Sequence, residues 1–175
     1  MPSRPHPSEA VRAACERWGE RDVALRCAAM LDGGAPELEL LGYLSTAPSG
    51  VAPTSGTWPS WFPVWALRGL RYAWDPAAEP AVVRALVSEA WRVREMAAKV
   101  CLVREIGAAG DTLAELVDDP VPRVRIAAAR AVAVVGESEH APALQGLARD
   151  DDAKCRAAAA DALRRLSDRL DRDLR

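Results

Sequence analysis

Apolar residues recur at helical spacing along most of this chain, and strand-like alternation is hard to find anywhere. Val82, Val83, Leu86 and Val87 follow an i, i+3, i+4 pattern and predict a short helix over 80–90. Similar short segments are expected at 112–118 and 141–149. Each is followed by acidic or small residues and then by a longer segment rich in alanine and valine, at 91–106, 122–135 and 153–170. Asp119 before Pro120 and the run Asp150, Asp151, Asp152 read as helix starts, because carboxylates satisfy free N–H groups and favour the positive end of the helix dipole. Gly107 and Gly136 read as left-handed terminators of two long helices.

The same outline returns at a fixed distance. Arg94, Arg125 and Arg156 are spaced by 31 residues, and their neighbours fall into register. Behind them lie Ala97-Ala98, Ala128-Ala129 and Ala159-Ala160, then Cys101, Val132 and Leu163. Six residues ahead stand Ser88, Asp119 and Asp150, and fourteen ahead stand Pro80, Asp111 and Pro142. Each unit is thus a pair of helices. Alanine columns let neighbouring helices approach closely, and one pair alone cannot bury its apolar face, so the pairs must stack.

The pattern continues less regularly toward the N-terminus. Subtracting one period from Ala97-Ala98-Lys99 gives Ala66-Leu67-Arg68, so 61–74 is expected as another second helix, with 36–45 as its partner. Residues 8–18 and 21–31 form a further hairpin, capped by Ser8 and ended by Gly33-Gly34. Between 36–45 and 61–74 the Pro/Gly/Ser-rich stretch 47–60 reads as a long loop. The expected architecture is all-α: a right-handed α-solenoid of about five antiparallel helix pairs, one domain over 8–175 behind a flexible tail at 1–7.

The columns of Pro, then Asp eight residues later, then Arg six after that resemble the HEAT repeat; Pro142, Asp150 and Arg156 carry all three. Asp119 and Arg125 match with Asp111 in place of proline, and Pro80 and Arg94 match with Ser88 in place of aspartate. The sequence is also similar to the phycobilisome-lyase-like subgroup of HEAT proteins. The resemblance implies that the second helices line a concave binding face. On residue chemistry alone, Arg94, Arg125, Arg156, Asp119 and Asp150 are structural: a carboxylate at a turn can reach a guanidinium in its own repeat or the next and build a ladder of paired charges.

Composition narrows the functional classes. A net charge of −2 argues against bulk coating of nucleic acid, but a local basic face remains open. Only two of the 23 basic residues are lysines, Lys99 and Lys154, a bias that accompanies GC-rich bacterial coding. Cys15, Cys27, Cys101 and Cys155 form no CxxC pair and read as reduced thiols of a cytoplasmic protein. No stretch is apolar for long enough to be a membrane span. No metal-ligand spacing, phosphate loop or nucleophile–histidine arrangement appears, so no cofactor and no metal are expected; His6 falls in the tail and His140 at a helix start.

Two cationic columns then remain. Arg92, Arg123 and Lys154 form one, and Arg68, Lys99 and Arg130 the other. Tryptophans crowd the irregular region: Trp58, Trp61, Trp65, Trp74 and Trp91. Trp61 and Trp74 read as plugs of a repeat junction, whereas Trp65, Arg68, Trp91, Arg92, Glu95 and Lys99 would share one face. The reading is a non-enzymatic binding scaffold whose concave face engages an acidic protein segment or another anionic partner through arginine forks and aromatic anchors. The alternative is a nucleic-acid protein. HEAT-like alkylpurine DNA glycosylases resemble this architecture, and that resemblance would cast Trp65 and Trp91 beside a catalytic carboxylate, Glu95 or Asp75.

Overall fold

The computed structural model describes residues 5–45 and 61–174, so the expected loop at 47–60 and Trp58 lie outside the described residues. Those described form ten α-helices joined by turns and short 3₁₀ segments, with no strand among them. They group into two compact units, Met1–Val82 and Val83–Arg175.

In the first unit, α1 (Pro7–Trp18), α2 (Glu20–Leu31), α3 (Leu38–Leu44) and α4 (Phe62–Leu70) pack α1 on α2 and α3, and α4 on α2 and α3. Their shared core holds Val11, Val23, Cys27, Leu40, Leu41, Leu44, Leu67 and Leu70, all almost without solvent exposure. The cap of α1 is His6 and not Ser8. Its ring accepts from the Ser8 N–H while its own N–H donates to Glu9, and Pro7 takes the first helical position, where no N–H is needed. The residue expected to lie in a loose tail is therefore the start of the fold. Gly33 does turn left-handed after α2, at φ 83°.

Gly69 shows how tightly α4 seats. A Cβ there would lie 2.8 Å from the Cys27 Sγ and 2.8 Å from a Leu44 methyl, so only hydrogen fits between the three helices. Burial also pushes the Cys27 thiol up to about 12, whereas Cys15 is only partly covered.

α5 (Glu79–Ala85) crosses the boundary between the units. The second unit then contains α6 (Trp91–Arg104), α7 (Gly110–Leu116), α8 (Pro122–Val135), α9 (Ala141–Leu147) and α10 (Ala153–Leu170). The period of 31 is kept to the residue: α6, α8 and α10 begin at 91, 122 and 153, and the 3₁₀ turns ahead of α5, α7 and α9 begin at 76, 107 and 138. α8 packs between α6 and α10, α7 lies on α8, α9 lies on α10, and α7 touches α9. First and second helices so form two layers of an α-solenoid. Ala97, Ala98, Ala128, Ala129 and Ala159 are fully buried, as the alanine columns require, while Ala160 at the end of its column is exposed.

Helix ends differ from the expectation. α6 stops at Arg104 and turns through Glu105, whose φ is 53°, so Gly107 begins a 3₁₀ turn instead of terminating the helix. Gly136 follows α8 in an extended conformation, φ −74° and ψ 164°. It is small for a steric reason, since a Cβ would stand 2.6 Å from the Val132 carbonyl oxygen and 3.3 Å from the His140 ring.

Two outcomes follow from the packing of the first unit. Gly69→Ala forces Cys27 or Leu44 aside and should lower unfolding free energy by about 1–3 kcal/mol, read from urea denaturation. At pH 8, iodoacetamide should modify Cys15 while leaving Cys27 unmodified in the folded chain, with both labelled after unfolding; intact-mass spectrometry and peptide mapping distinguish them.

Candidate functional site

Two sets of charged side chains organise the second unit, and only one of them faces outward. The inward set is the ladder. Arg94 donates from Nε to Asp119 Oδ2 at 2.7 Å and from Nη2 to Oδ1 at 3.1 Å, while its Nη1 donates to the carbonyls of Ser88 and Glu89 at 2.8 and 2.9 Å. Arg125 repeats this one period later. Its Nη2 donates to Asp150 Oδ1 at 3.1 Å and its Nη1 to the Asp119 carbonyl at 2.8 Å. Its Nε stands 2.8 Å from Asp150 Oδ2 without pointing along that approach, so this half of the fork is an ion pair without a directed hydrogen bond. Arg94 and Arg125 thus each clamp their own turn and reach the aspartate of the following repeat, and Arg156 clamps its own turn through the Asp150 and Asp151 carbonyls, both at 2.8 Å.

The aspartates are held from the other side as well. Asp119 Oδ1 accepts from the Val121 N–H at 2.8 Å, and Asp150 Oδ1 from the Asp152 N–H at 2.7 Å. Asp119 therefore shapes the turn two residues ahead of the α8 cap, which is Val121, and is not itself the cap; Asp152 does cap α10. The Asp152 N–H, and next the Arg125 guanidinium, hold the Asp150 carboxyl below the usual carboxylate range. Asp119 and Arg94 have side chains only 3% and 13% exposed, so removing one partner would strand a nearly buried charge, at a cost of about 3–5 kcal/mol.

His140 adds a second cross-repeat tie. It is buried, its Nδ1 accepts from the Glu137 N–H at 2.7 Å, and that bond leaves Nε2 as the protonated nitrogen of the neutral ring, 3.0 Å from Asp111 Oδ1. Asp111 occupies the proline column of its repeat. The sequence signal was there in the pairing of an acidic intruder in one repeat with a histidine two residues before the proline column of the next.

The outward set lies on α6 and the first turn of α8. Glu95 is 7% exposed; its Oε1 accepts from Lys99 Nζ at 2.8 Å and from Arg123 Nε at 3.2 Å, with Arg123 Nη2 in ion-pair contact at 3.1 Å. The Arg123 guanidinium also stands 5.4 Å from the Trp91 ring centre, and that of Arg92 stands 4.4 Å from it. One buried carboxylate thereby gathers two cations beside a half-exposed indole flanked by two guanidiniums. Arg92 and Arg123 are exposed, as are Arg130 and Lys154.

The expected face is therefore only partly assembled. Trp91, Arg92, Glu95, Lys99 and Arg123 come together. Trp65 does not belong to a binding surface: it is 4% exposed in the first unit, its ring 5.9 Å from that of Phe62. Arg68, in the same unit, is half-buried, donates to the Leu44 carbonyl at 3.3 Å, and has its pKa pushed down by burial. α4 is apolar nearly all round, so its periodicity marks no solvent face. A cluster that the tryptophan pattern did not suggest surrounds Trp18, with the Arg17 and Arg26 guanidiniums 4.8 and 5.2 Å from its ring and Tyr43 edge-on at 5.4 Å. The signal available was the pair of arginines nine apart across the α1–α2 hairpin.

Among the described residues no group of three or more His, Cys, Asp or Glu side chains is arranged to hold a metal ion, and no helix is long and apolar enough to cross a membrane. The geometry defines a helical-repeat protein. A family model described as HEAT repeats matches residues 102–164, a stretch from the last turn of α6 into α10 that includes Asp119, Arg125, Asp150 and Arg156. HEAT repeats generally serve as protein-interaction scaffolds. No curated protein matches the chain.

The Asp150 carboxyl has a lower pKa folded than unfolded, so its stabilisation is fully present above the unfolded value of about 3.9 and is lost as pH falls through the lower folded value. Urea unfolding between pH 6 and pH 2 should show stability dropping in that acid window. Asp150→Asn should be less stable at pH 7 and show a shallower acid dependence.

Proposed function

We propose that the outer surface of the second-helix layer is a docking face for an acidic segment of a partner protein, on a non-enzymatic scaffold. The observation that supports this reading is the cluster built on Glu95. Holding Lys99 and Arg123 to one buried carboxylate fixes their stems, so less side-chain entropy is lost when the remaining guanidinium and ammonium hydrogens meet partner carboxylates. Trp91 adds a rigid apolar surface between Arg92 and Arg123, and indole with arginine is the composition typical of interface hot spots. Arg130 and Lys154 extend positive charge along α8 and α10. Glu95 is already committed to two cations of its own chain, which suits an organising role better than that of a carboxylate stabilising a substrate cation. The four free thiols and the scarcity of lysine fit a bacterial cytoplasm as the place of action.

Fluorescence anisotropy with a fluorescein-labelled decamer of glutamate residues and, separately, a labelled 20-base-pair DNA tests this. The acidic peptide should bind at low ionic strength. The Arg92→Ala, Arg123→Ala double variant, which leaves the Glu95–Lys99 pair in place, should weaken binding at least tenfold. Binding of DNA with no binding of the peptide would overturn the protein-docking reading and favour a nucleic-acid face.

A further inference from the structure

In the first-helix layer of the second unit, α7 and α9 lie side by side with an open groove of about 430 Å³ between them. Its lining along the helices is apolar. Val117 and Leu147, both nearly buried, form the floor, and Ala114, Pro142, Ala143 and Gly146 border it. Gly146 is the informative residue, because glycine weakens a helix relative to every residue except proline. Gly110 and Gly136 are small for the sake of the His140 ring, which a Cβ on either would crowd. A Cβ on Gly146 would meet nothing within 4 Å, its φ is not left-handed, and it is exposed inside α9. Internal packing and turn geometry thus leave this glycine unused, whereas a segment lying close along α9 would require it.

The groove changes character at the turns that follow the two helices. Past Asp118, Arg149 and Asp150 it opens into a hollow of about 400 Å³, where four carboxylates, including those of Asp151 and Asp152, stand against the guanidiniums of Arg125 and Arg149. Asp150 is committed to Arg125 and Asp152 to the cap of α10. Asp118 and Asp151 are exposed, and among the described residues neither carboxylate makes an ion pair or a hydrogen bond. An apolar trough therefore runs into an excess of negative charge, opposite in sign to the cluster around Glu95.

We propose that the α7–α9 groove and the hollow at its end form a second protein-binding site, one that takes a segment of another protein with branched apolar side chains against Gly146 and arginine or lysine reaching Asp118 and Asp151. A guanidinium or ammonium gains charge-assisted hydrogen bonds from two carboxylates not yet used. Exposed ion pairs alone add little, so the apolar contact has to supply part of the affinity. The site is separate from the face on α6 and α8, favours the opposite charge, and does not depend on the reading given to that face.

The probe is the fluorescein-labelled nonapeptide Leu-Ala-Ala-Leu-Ala-Arg-Lys-Arg-Gly, added to the full chain at low ionic strength and followed by anisotropy. It should bind saturably, and the same peptide with both leucines replaced by serine should bind at least tenfold more weakly. Gly146→Leu fills the groove without crowding its own chain, so it should weaken binding at least tenfold while the urea midpoint stays unchanged or rises. The Asp118→Asn, Asp151→Asn double variant should cause a similar loss, whereas Arg92→Ala with Arg123→Ala should leave binding of this peptide unchanged. The serine peptide leaves the chain untouched, so a folding defect in a variant cannot mimic its result. Absence of binding up to about 1 mM peptide overturns the proposal. So does equal binding of the serine peptide, which marks charge attraction alone, or binding that survives Gly146→Leu or the double asparagine substitution. Sedimentation of the chain alone should show a monomer; a concentration-dependent dimer abolished by Gly146→Leu would overturn the proposal in favour of a second copy as the occupant.

Discussion

The stack of the second unit depends on an aspartate that belongs to two repeats at once. One carboxylate of Asp119 accepts the Val121 N–H of its own turn and the fork of Arg94 from the repeat before, and Arg94 in turn holds two carbonyls of its own turn. The chain of bonds runs from turn to turn without a break. Its consequence is a constraint on length: the arginine-to-aspartate separation is twenty-five residues in both rungs. An insertion in either helix would move the carboxylate away from the fork. The alanine columns act under the same constraint, because the fork spans neighbouring turns only when α6, α8 and α10 lie close, and a methyl group at Ala98 and Ala129 permits that approach. Repeat length, small core residues and buried ion pairs are therefore one requirement expressed three ways.

Departures from the pattern have local compensation. Where Asp111 replaces the proline of its repeat, His140 of the next repeat supplies a hydrogen-bond partner, and Gly110 and Gly136 make room for the ring: a Cβ on either would approach it to 3.0 or 3.3 Å. An imidazole wedged between two glycines, tied to a backbone N–H on one side and to a carboxylate on the other, joins the first-helix layer at the junction where the rigid proline start is absent. The less regular repeat is held by a different bond instead of by none.

Much of this was legible from spacing. The 31-residue columns place the starts of α6, α8 and α10 correctly and identify Arg94, Arg125, Asp119 and Asp150 as a ladder, because side chains in a repeat see the same surroundings each period. Direction was not legible: the columns alone allow the arginine to meet the aspartate of its own repeat or of the next, and only the backbone geometry selects the next. Helix ends were misread for a related reason. Composition identifies residues able to cap or terminate, but Asp119 spends its carboxylate two residues before the cap, and Glu105 takes the left-handed position that Gly107 was expected to fill. Trp65 shows the limit of column reasoning across unlike repeats. It shares a register with Met96, but α4 buries Val64, Ala66 and Leu67 around it, and in a helix apolar nearly all round the register of one tryptophan does not tell which side meets water.

The two charged systems also explain each other's difference in accessibility. In the ladder, each guanidinium spends its Nη1 on two backbone carbonyls and its other edge on a carboxylate, and the Arg94 and Arg125 side chains are only 13% and 15% exposed. In the outward cluster, Glu95 receives both cations through a single oxygen, and the Arg123 side chain stays 66% exposed. The first arrangement turns its donors inward onto carbonyls and a carboxylate of its own chain, and the second leaves some of them facing water. A carboxylate arriving from outside therefore has nothing to gain at Arg94 or Arg125 and an oriented, incompletely used donor at Arg123, so the same residue type is structural in one column and available in the next.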